Sequence, residues 1–230
     1  MKLSVLIPVY NEAATVATVV EQVLSADAGI EKELVLIEDG STDGTKDRLR
    51  ELEARHPECR FVYHDRNRGK GAAIRSGIAA ATGDIVVIQD ADLEYDPRDY
   101  PAMLAPILDG HADVVYGSRF VGGGPHRVCF FWHYLGNKLL TILSNMMTNL
   151  NLTDVEVGYK MFRKEVLASV ELKEDRFGFE NEITAKLARR KWRVYEVPVS
   201  YYGRSYSEGK KVTWRDGFRA LWCILKYRFV

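Results

Sequence analysis

The sequence predicts an α/β fold in which a mostly parallel sheet is flanked by helices. Short β-branched runs alternate with helical patterns through the first half of the 230 residues, as in sheets built with crossover helices. The run at 84–89 is apolar almost throughout, as expected for a central strand covered on both faces. Several runs end in polar residues, and ligands of open α/β sheets bind at that edge.

In the first half, apolar β-branched runs indicate the strands, and apolar residues at helical spacing indicate the helices. Gly40 and Gly44 mark turns after the second strand. We expect strands at 3–7, 33–37, 60–63, 84–89 and 113–116. We expect helices at 13–24, 45–55 and 72–81.

A glycine-rich loop at 122–125 divides the chain into a half near 1–120 and a half near 121–230 of one domain. Beyond it we expect a helix or helix pair at 130–150, then Thr153-Asp154 leading into 155–162, a helix at 180–191 and a strand at 194–199. The tail is predicted to be a helix with one apolar face. That face carries Trp214, Phe218, Leu221, Trp222 and Leu225.

The overall charge excludes one class of partner. Lys and Arg number 32, as do Asp and Glu, so the formal net charge is zero. Without a net positive field, we expect no nucleic-acid partner. Positive charge is nevertheless concentrated at 186–228, which holds 12 Lys/Arg and 3 Asp/Glu.

Cysteine usage and hydropathy indicate a cytoplasmic protein. Cys59, Cys129 and Cys223 are odd in number and widely spaced, which favours reduced, buried thiols. The apolar run at 3–9 lacks a cleavage site and is typical of a strand rather than a signal peptide. We expect no transmembrane helix, because polar residues interrupt the most apolar stretch, 128–147.

Two aspartates follow the central strand. Asp90 and Asp92 are two residues apart in an extended segment, so both side chains lean the same way. Carboxylate pairs suit Mg²⁺ or Mn²⁺, which complete their shells with water and substrate phosphates. The same spacing also occurs in solvated turns, and its place after an apolar strand favours the metal.

The segment Gly69-Lys70-Gly71 is neither of the common phosphate-binding loops. Ile74 stands where the dinucleotide fingerprint needs its third glycine, and no Ser or Thr follows Lys70 as a P-loop requires. Backbone N–H groups at the start of the next helix remain able to meet a phosphate.

Five motifs follow one another along the chain. They are IPVYNE at 7–12, EDGSTDGT at 38–45, NRGKGA at 67–72, DADLE at 90–94 and GSR at 117–119. In this order they resemble the family 2 glycosyltransferases of GT-A fold, and most of all the dolichyl/polyprenyl-phosphate sugar synthases. The likeness continues through 153–163, 177–180 and 201–211 and so covers nearly the whole chain.

The resemblance implies a Rossmann-like, mostly parallel sheet with a helical region on the acceptor side near the C-terminus. It implies metal-dependent, inverting transfer of a hexose from a UDP- or GDP-linked sugar to polyprenyl or dolichyl phosphate. The nucleotide-sugar-binding residues it implies are Pro8, Tyr10, Glu12, Asp39, Lys70, Gly71, Asp90, Ala91, Arg119, Arg204 and Lys210. The implied ligands of Mg²⁺ or Mn²⁺ are Asp90, Asp92 and Glu94, and the implied catalytic residues are Asp154, Arg119 and Asp92.

Within these sets the resemblance also implies roles. Asp39 would accept a hydrogen bond from the base, and Arg119, Arg204 and Lys210 would hold the diphosphate or the acceptor phosphate. Cations and a metal at the leaving diphosphate lower the barrier to sugar transfer. Asp154 would be a general base for a hydroxyl acceptor, but only a sugar-positioning group for a lipid phosphate, which is already ionised.

Other interpretations remain open at this point. The acceptor could be a saccharide or protein hydroxyl, and Asp154 could cap a helix while Arg119 is a surface cation. A nucleotidyltransferase could use a similar sheet and carboxylates, but 8–12 offers no glycine-rich phosphate loop. A nucleotide-sugar sensor is a further alternative, disfavoured by the intact Asp90, Asp92, Arg119 and Asp154.

The chain departs from the family in two respects. Glu38 stands where members often have Asp, although Asp39 is retained. Many relatives carry C-terminal transmembrane helices, whereas we expect this chain to contact the cytosolic membrane face peripherally. The segment 130–147 and the basic aromatic tail are the candidates for that contact. Alternatively, both helices pack on their own core or on a second subunit.

Overall fold

A computed structural model describes residues 1–122, 127–128, 130–176, 178–204 and 214–229. The strands are Lys2–Val9 (β1), Glu31–Glu38 (β2), Arg60–Tyr63 (β3), Ile85–Ile88 (β4), Val114–Ser118 (β5), Lys160–Arg163 (β6) and Val194–Pro198 (β7). They form one sheet in the order β3-β2-β1-β4-β6-β5-β7. The predicted α/β class is therefore confirmed.

One strand runs against the others. β6 pairs antiparallel with both β4 and β5, whereas the remaining neighbours pair in parallel. The amino end of β6 therefore lies at the same edge of the sheet as the carboxyl ends of β4 and β5. Residues just before β6 thus join the edge where ligands of open α/β sheets bind.

Helices cover the sheet. They are Val16–Ser25 (α1), Thr45–Arg55 (α2), Lys70–Ala80 (α3), Tyr100–Leu108 (α4), Phe131–Thr148 (α5), Lys164–Ala168 (α6), Phe179–Arg189 (α7) and Trp214–Phe229 (α8). The inner face of α1, for example, buries Val16, Val19, Val20 and Val23. The central strand β4 is buried along its whole length, as its apolar sequence predicts.

The structure decides some predictions and differs from others. The stretch 130–150 forms one helix, α5, which is the first of the two predicted alternatives, and of the segment 155–162 only 160–162 lies in a strand, β6. α4 was not predicted, because Pro101 and Pro106 obscure a helical pattern that tertiary packing completes. The loop residues 123–126 and Cys129 lie outside the described part of the chain.

The apolar face of α8 points away from the protein. α8 packs against α5 and α7, and the residues that it buries there are Ala220, Cys223, Ile224 and Tyr227. The predicted apolar face instead exposes Phe218, Trp222 and Leu225. The predicted periodicity is confirmed, but the alternative that this face packs on the protein's own core does not hold for these exposed residues, because Ala220, Cys223, Ile224 and Tyr227 form the packing face. Cys59 and Cys223 are buried free thiols, as predicted.

Glu174 fastens α8 to the rest of the fold. Its buried carboxylate accepts hydrogen bonds from Arg219 Nη2 at 2.5 Å, Lys226 Nζ at 3.0 Å and the Tyr227 hydroxyl at 2.9 Å. Its backbone N–H donates to the Glu182 carboxylate of α7 at 2.7 Å. Burial alone would raise the pKa of Glu174, but the hydrogen bonds from α8 lower it to about 2.

Glutamine at this position keeps the volume but removes the charge. We expect Glu174→Gln to lower the free energy of unfolding by about 1–3 kcal/mol. The pKa of Glu174 is lower in the folded state than in the unfolded state. The loss of stability caused by the substitution is therefore complete above about pH 5 and becomes smaller as the pH falls toward the folded-state pKa. Urea unfolding from neutral pH downward measures it.

The matched control is Glu171→Gln, because Glu171 is exposed on the same segment. Its effect should stay within about 0.5 kcal/mol. Equal stabilities of the two variants would show that Glu174 does not fasten α8.

Candidate active site

Polar side chains converge where the strands end. Tyr10 follows β1, Asp39 follows β2, Asp90 lies just beyond β4, and Arg119 follows β5. Since these parallel strands all end at one edge of the sheet, residues far apart in sequence meet there. The antiparallel β6 brings residues 154–158 to the same edge.

A cavity of about 1180 Å³ lies over this edge. The predicted site residues that line it are Pro8, Tyr10, Glu12, Asp39, Lys70, Asp90, Ala91, Asp92, Glu94, Arg119 and Arg204. Gly71 and Asp154 do not line it, and Lys210 lies outside the described residues. The structure thus brings most of the predicted set into one cavity, while the role of each residue stays a prediction.

Asp39 organises the loop beside the cavity. Its two carboxylate oxygens accept from His64 Nδ1 at 2.7 Å, the backbone N–H of Arg68 at 2.9 Å, that of Gly69 at 2.7 Å and Asn67 Nδ2 at 3.0 Å. Each oxygen therefore has two donors already. The predicted hydrogen bond to a nucleotide base would have to compete with one of these.

Lys70 and Gly71 begin α3 and have different functions. Lys70 Nζ lies 2.8 Å from Asp90 Oδ1 and 3.4 Å from Glu180 Oε1. Burial opposes its charge, but Asp90 and Glu180 outweigh burial and raise the pKa of Lys70 above its usual value. Gly71 serves packing instead: a Cβ there would lie 2.1 Å from the Glu174 carbonyl oxygen.

The N-terminus of α3 is not an open phosphate cradle in this structure. The N–H groups of Arg68 and Gly69 donate to Asp39, and that of Ala72 donates to the Asp175 carbonyl at 3.2 Å. Protein acceptors therefore already use these three donors.

Arg204 joins three carboxylates at the centre of the cavity. Its guanidinium donates to both oxygens of Glu12 at 3.1 and 3.2 Å and to Asp92 Oδ2 at 3.2 Å. Its backbone N–H donates to Glu94 Oε1 at 2.7 Å. Burial and the carboxylates of Asp90 and Glu94 raise the pKa of Asp92 to about 7, although Arg204 opposes this.

The predicted metal ligands are only partly assembled. Within the described residues, no three His, Cys, Asp or Glu side chains form a group able to hold a metal. Both carboxylate oxygens of Glu94 already accept hydrogen bonds, one from the Tyr201 hydroxyl at 3.1 Å and the other from the backbone N–H of Arg204 at 2.7 Å. Asp90 and Asp92 fit a divalent cation in their chemistry, because both are hard carboxylates that already pair with cations, Lys70 and Arg204.

Arg119 and Asp154 form a buried ion pair. Arg119 Nε and Nη2 lie 2.6 and 2.7 Å from the two oxygens of Asp154, whose side chain is fully buried. The Arg119 guanidinium also stacks on the Tyr201 ring, 5.2 Å from its centroid. Asp154 therefore caps no helix and Arg119 is no surface cation, and the fully engaged Asp154 is poorly placed to act as a free general base.

Three further residues at the site were missed by sequence reasoning. Glu156 and Glu180 line the cavity next to Lys70, and Asn181 Nδ2 donates to Glu156 Oε1 at 2.8 Å. Burial and the nearby Glu180 carboxylate raise the pKa of Glu156 to about 7. Glu156 and Glu180 lie in the segments 153–163 and 177–180, which share the family likeness. That likeness was the available signal, although it did not single out either residue.

The mouth of the cavity is aromatic. Phe130, Phe131, Trp132 and Tyr134, at the start of α5, line it and are exposed. The exposed face of α5 continues through Leu139, Ile142 and Met146. The cavity thus passes from charged residues at the sheet edge to an apolar surface. None of the helices within the described ranges is both long and apolar enough to span a bilayer.

Comparison with known proteins places the chain in a family. Residues 4–170 match the description of glycosyl transferase family 2. The dolichol-phosphate mannosyltransferase of Pyrococcus furiosus is 31% identical over 212 residues, which cover 91% of this chain but 59% of that protein. The undecaprenyl-phosphate mannosyltransferase of Micrococcus luteus is 29% identical over 220 residues, covering 91% of this chain and 87% of that protein.

A solved structure shares the fold. Glucosyl-3-phosphoglycerate synthase from Mycobacterium tuberculosis, in complex with Mn²⁺, UDP and phosphoglyceric acid, superimposes with a TM-score of 0.76 at 22% identity. The match covers 100% of this chain and 79% of that chain. This likeness confirms the predicted GT-A fold, and together with the family match over more than half of the chain it shows that the protein belongs to glycosyl transferase family 2.

Proposed function

We propose that the protein transfers a hexose from a UDP- or GDP-linked sugar to a polyprenyl phosphate, with a divalent metal and with inversion. The observation that carries this proposal is the single cavity whose charged inner end opens through an exposed aromatic mouth. A polyprenyl phosphate has matching parts, an anionic head and a long apolar chain. The names of the relatives from Pyrococcus furiosus and Micrococcus luteus support the same class of acceptor.

Cationic side chains at the inner end suit a diphosphate leaving group. Lys70 and Arg204 are held in the cavity by carboxylates, and Arg119 is fixed by Asp154. Cations fixed in this way stabilise negative charge that grows on the departing diphosphate. A divalent cation held by Asp90 and Asp92 would add the same stabilisation, and the Mn²⁺ in the related mycobacterial structure supports its presence.

A lipid phosphate also explains the engaged state of Asp154. An ionised phosphate oxygen can attack the anomeric carbon without losing a proton, so no general base is needed. Asp154 can then remain bound to Arg119 and hold its guanidinium in place. A hydroxyl acceptor would instead require a carboxylate free to take a proton.

The test supplies the purified protein with Mg²⁺ or Mn²⁺, a short polyprenyl phosphate and radiolabelled UDP- and GDP-sugars. Label extracted into organic solvent from one donor is the expected result, and it identifies both base and sugar. Donor consumption only when saccharides are present would contradict the lipid acceptor and favour a hydroxyl acceptor.

Asp92 tests the metal site within this reaction. We expect Asp92→Asn to lower kcat/KM by at least about 100-fold. A neutral amide oxygen binds a divalent cation more weakly than a carboxylate does, and it does not compensate the charge of Arg204. The control is Asp47→Asn on the exposed side of α2, which should retain activity. Thermal unfolding verifies that both variants fold, and unchanged turnover in Asp92→Asn would contradict the metal assignment.

We also propose that the exposed faces of α5 and α8 contact the membrane. Trp132 and Trp222 are 76% and 57% exposed, and α5 contains no acidic residue. α8 contains one acidic residue, Asp216, and more basic than acidic residues. Aromatic residues on helices with net positive charge favour the interface of an anionic bilayer. The cavity mouth at the start of α5 would then open toward the lipid acceptor.

Vesicle binding tests this contact. Replacing both Trp132 and Trp222 by serine should weaken binding to phosphatidylglycerol vesicles by at least about 10-fold, because two large apolar side chains are lost. Tyr195→Ser is the control, since Tyr195 is exposed on the edge strand β7. Equal binding by both variants, or a stable dimer in light scattering that buries these faces, would contradict the membrane contact.

A further inference from the structure

A polar patch on the inner wall of the cavity has no role in the mechanism above. Glu156 and Glu180 both line the cavity, and Asn181 Nδ2 donates to Glu156 Oε1 at 2.8 Å. We call Glu156, Glu180 and Asn181 the inner-wall triad, in which Asn181 contacts Glu156 but does not itself line the cavity. Lys70 connects the triad to Asp90, because its Nζ lies 2.8 Å from Asp90 Oδ1 and 3.4 Å from Glu180 Oε1. The backbone two residues after Glu156 also lies against Asp90, since a Cβ on Gly158 would be 2.3 Å from Asp90 Oδ2.

Two hydrogen-bond acceptors of the inner-wall triad have no hydrogen-bond donor. Glu180 Oε2 and Asn181 Oδ1 are buried and have no hydrogen-bond partner, although their residues are only 4% and 1% exposed. A buried acceptor left unpaired costs roughly 1–3 kcal/mol, so such atoms are rare in the absence of a function. The orientation of the Asn181 amide is fixed by Glu156, because only its NH₂ group can donate to a carboxylate.

The missing partner is a neutral hydrogen-bond donor rather than a cation. Lys70 already lies 3.4 Å from Glu180 Oε1, and a metal ion beside it would be repelled. Lys160 is fully buried behind the triad, where its Nζ donates to the carbonyl oxygens of Val155 and Val157. Hydroxyl groups supply donors without charge, and a sugar ring presents several of them at once.

We propose that the inner-wall triad binds hydroxyl groups of the transferred sugar and thereby selects neutral hexoses against uronic acids. The inference rests on the proposed function, in which Asp90 lies at the diphosphate to which that sugar is attached. A uronic acid would bring a carboxylate against Glu156 and Glu180. Like charges in a partly desolvated site repel strongly, so the triad acts on specificity by rejection as well as by hydrogen bonding.

The triad fits the donor sugar better than the acceptor. An acceptor phosphate would meet the same repulsion from Glu156 and Glu180 that excludes a uronate. The aromatic mouth formed by Phe131 and Trp132 offers the apolar contacts that a lipid needs, whereas the triad offers only hydrogen-bond acceptors and one engaged amide. Sites that bind a hydroxyl through buried polar groups discriminate strongly against ligands that leave those groups unpaired.

The experiment compares UDP-glucose with UDP-glucuronate, which differ only at the sixth carbon, and each with UDP alone. Matched GDP, GDP-mannose and GDP-mannuronate provide the same comparison for the other base. Calorimetry with Mn²⁺ measures the affinities of the wild type, Glu156→Gln, Glu180→Gln and the exposed control Glu165→Gln. Two triad variants are used because either one alone could fail to fold, which thermal unfolding would reveal.

We expect the wild type to bind the neutral donor of its base at least 10-fold more tightly than the uronate. For each triad variant, the ratio of the affinity for the neutral donor to the affinity for the nucleoside diphosphate should fall by at least 10-fold. The variant's preference for the neutral donor over the uronate donor should also fall. The affinity of Glu156→Gln for the nucleoside diphosphate alone should stay within about 2-fold of the wild-type value. Glu180→Gln also removes a carboxylate that pairs with Lys70, so its own affinity for the nucleoside diphosphate is the reference from which its sugar contribution is calculated. Glu165→Gln should match the wild type throughout.

The outcomes separate this inference from the proposed function. Equal binding of neutral and uronate donors, or an unchanged preference in folded triad variants, would overturn the triad assignment even if lipid is glycosylated. The expected donor pattern without any labelled lipid would support the triad and contradict the acceptor. Failure of every nucleotide sugar to bind would overturn both.

Discussion

The site depends on cationic side chains that compensate the negative charge of several carboxylates, which the sheet topology brings close together. Asp90 and Asp92 follow β4, Glu12 follows β1, and Glu156 precedes the reversed strand β6. Carboxylates gathered in a partly buried cavity repel one another, and this repulsion helps to raise the pKa of Asp92 to about 7. Lys70 and Arg204 supply the compensating charge, and each is held in place by more than one carboxylate.

This balance connects binding to catalysis. In the proposed reaction, a diphosphate entering the cavity would meet cations already positioned by the fold, so less reorganisation would be needed when charge grows on the leaving group. Arg119 belongs to the same arrangement, because its bidentate pair with Asp154 fixes a guanidinium that also packs on Tyr201. The aromatic entrance would then allow the proposed acceptor, with a charged head and an apolar chain, to reach the same place.

Much of the site was predictable because many of its functional residues lie in short sequence motifs directly after the strands. The DADLE segment after the apolar run of β4 indicated Asp90 and Asp92, and the GSR segment after β5 indicated Arg119. Glu156 was not predictable in the same way, since it enters the cavity only because β6 reverses direction. The hydrogen bonds that saturate Asp39, and the outward face of α8, also depend on tertiary contacts that no local pattern encodes.

The proposed function requires the cavity to exchange its internal ion pairs for a divalent cation together with a nucleoside diphosphate. Electron paramagnetic resonance of Mn²⁺ measures this directly, by titrating the metal into the protein with and without UDP or GDP. Weak binding of Mn²⁺ alone and tighter binding at one site per chain with the nucleotide is the predicted result, because Lys70 and Arg204 otherwise occupy Asp90 and Asp92. Mn²⁺ affinity that neither nucleotide changes would contradict the account.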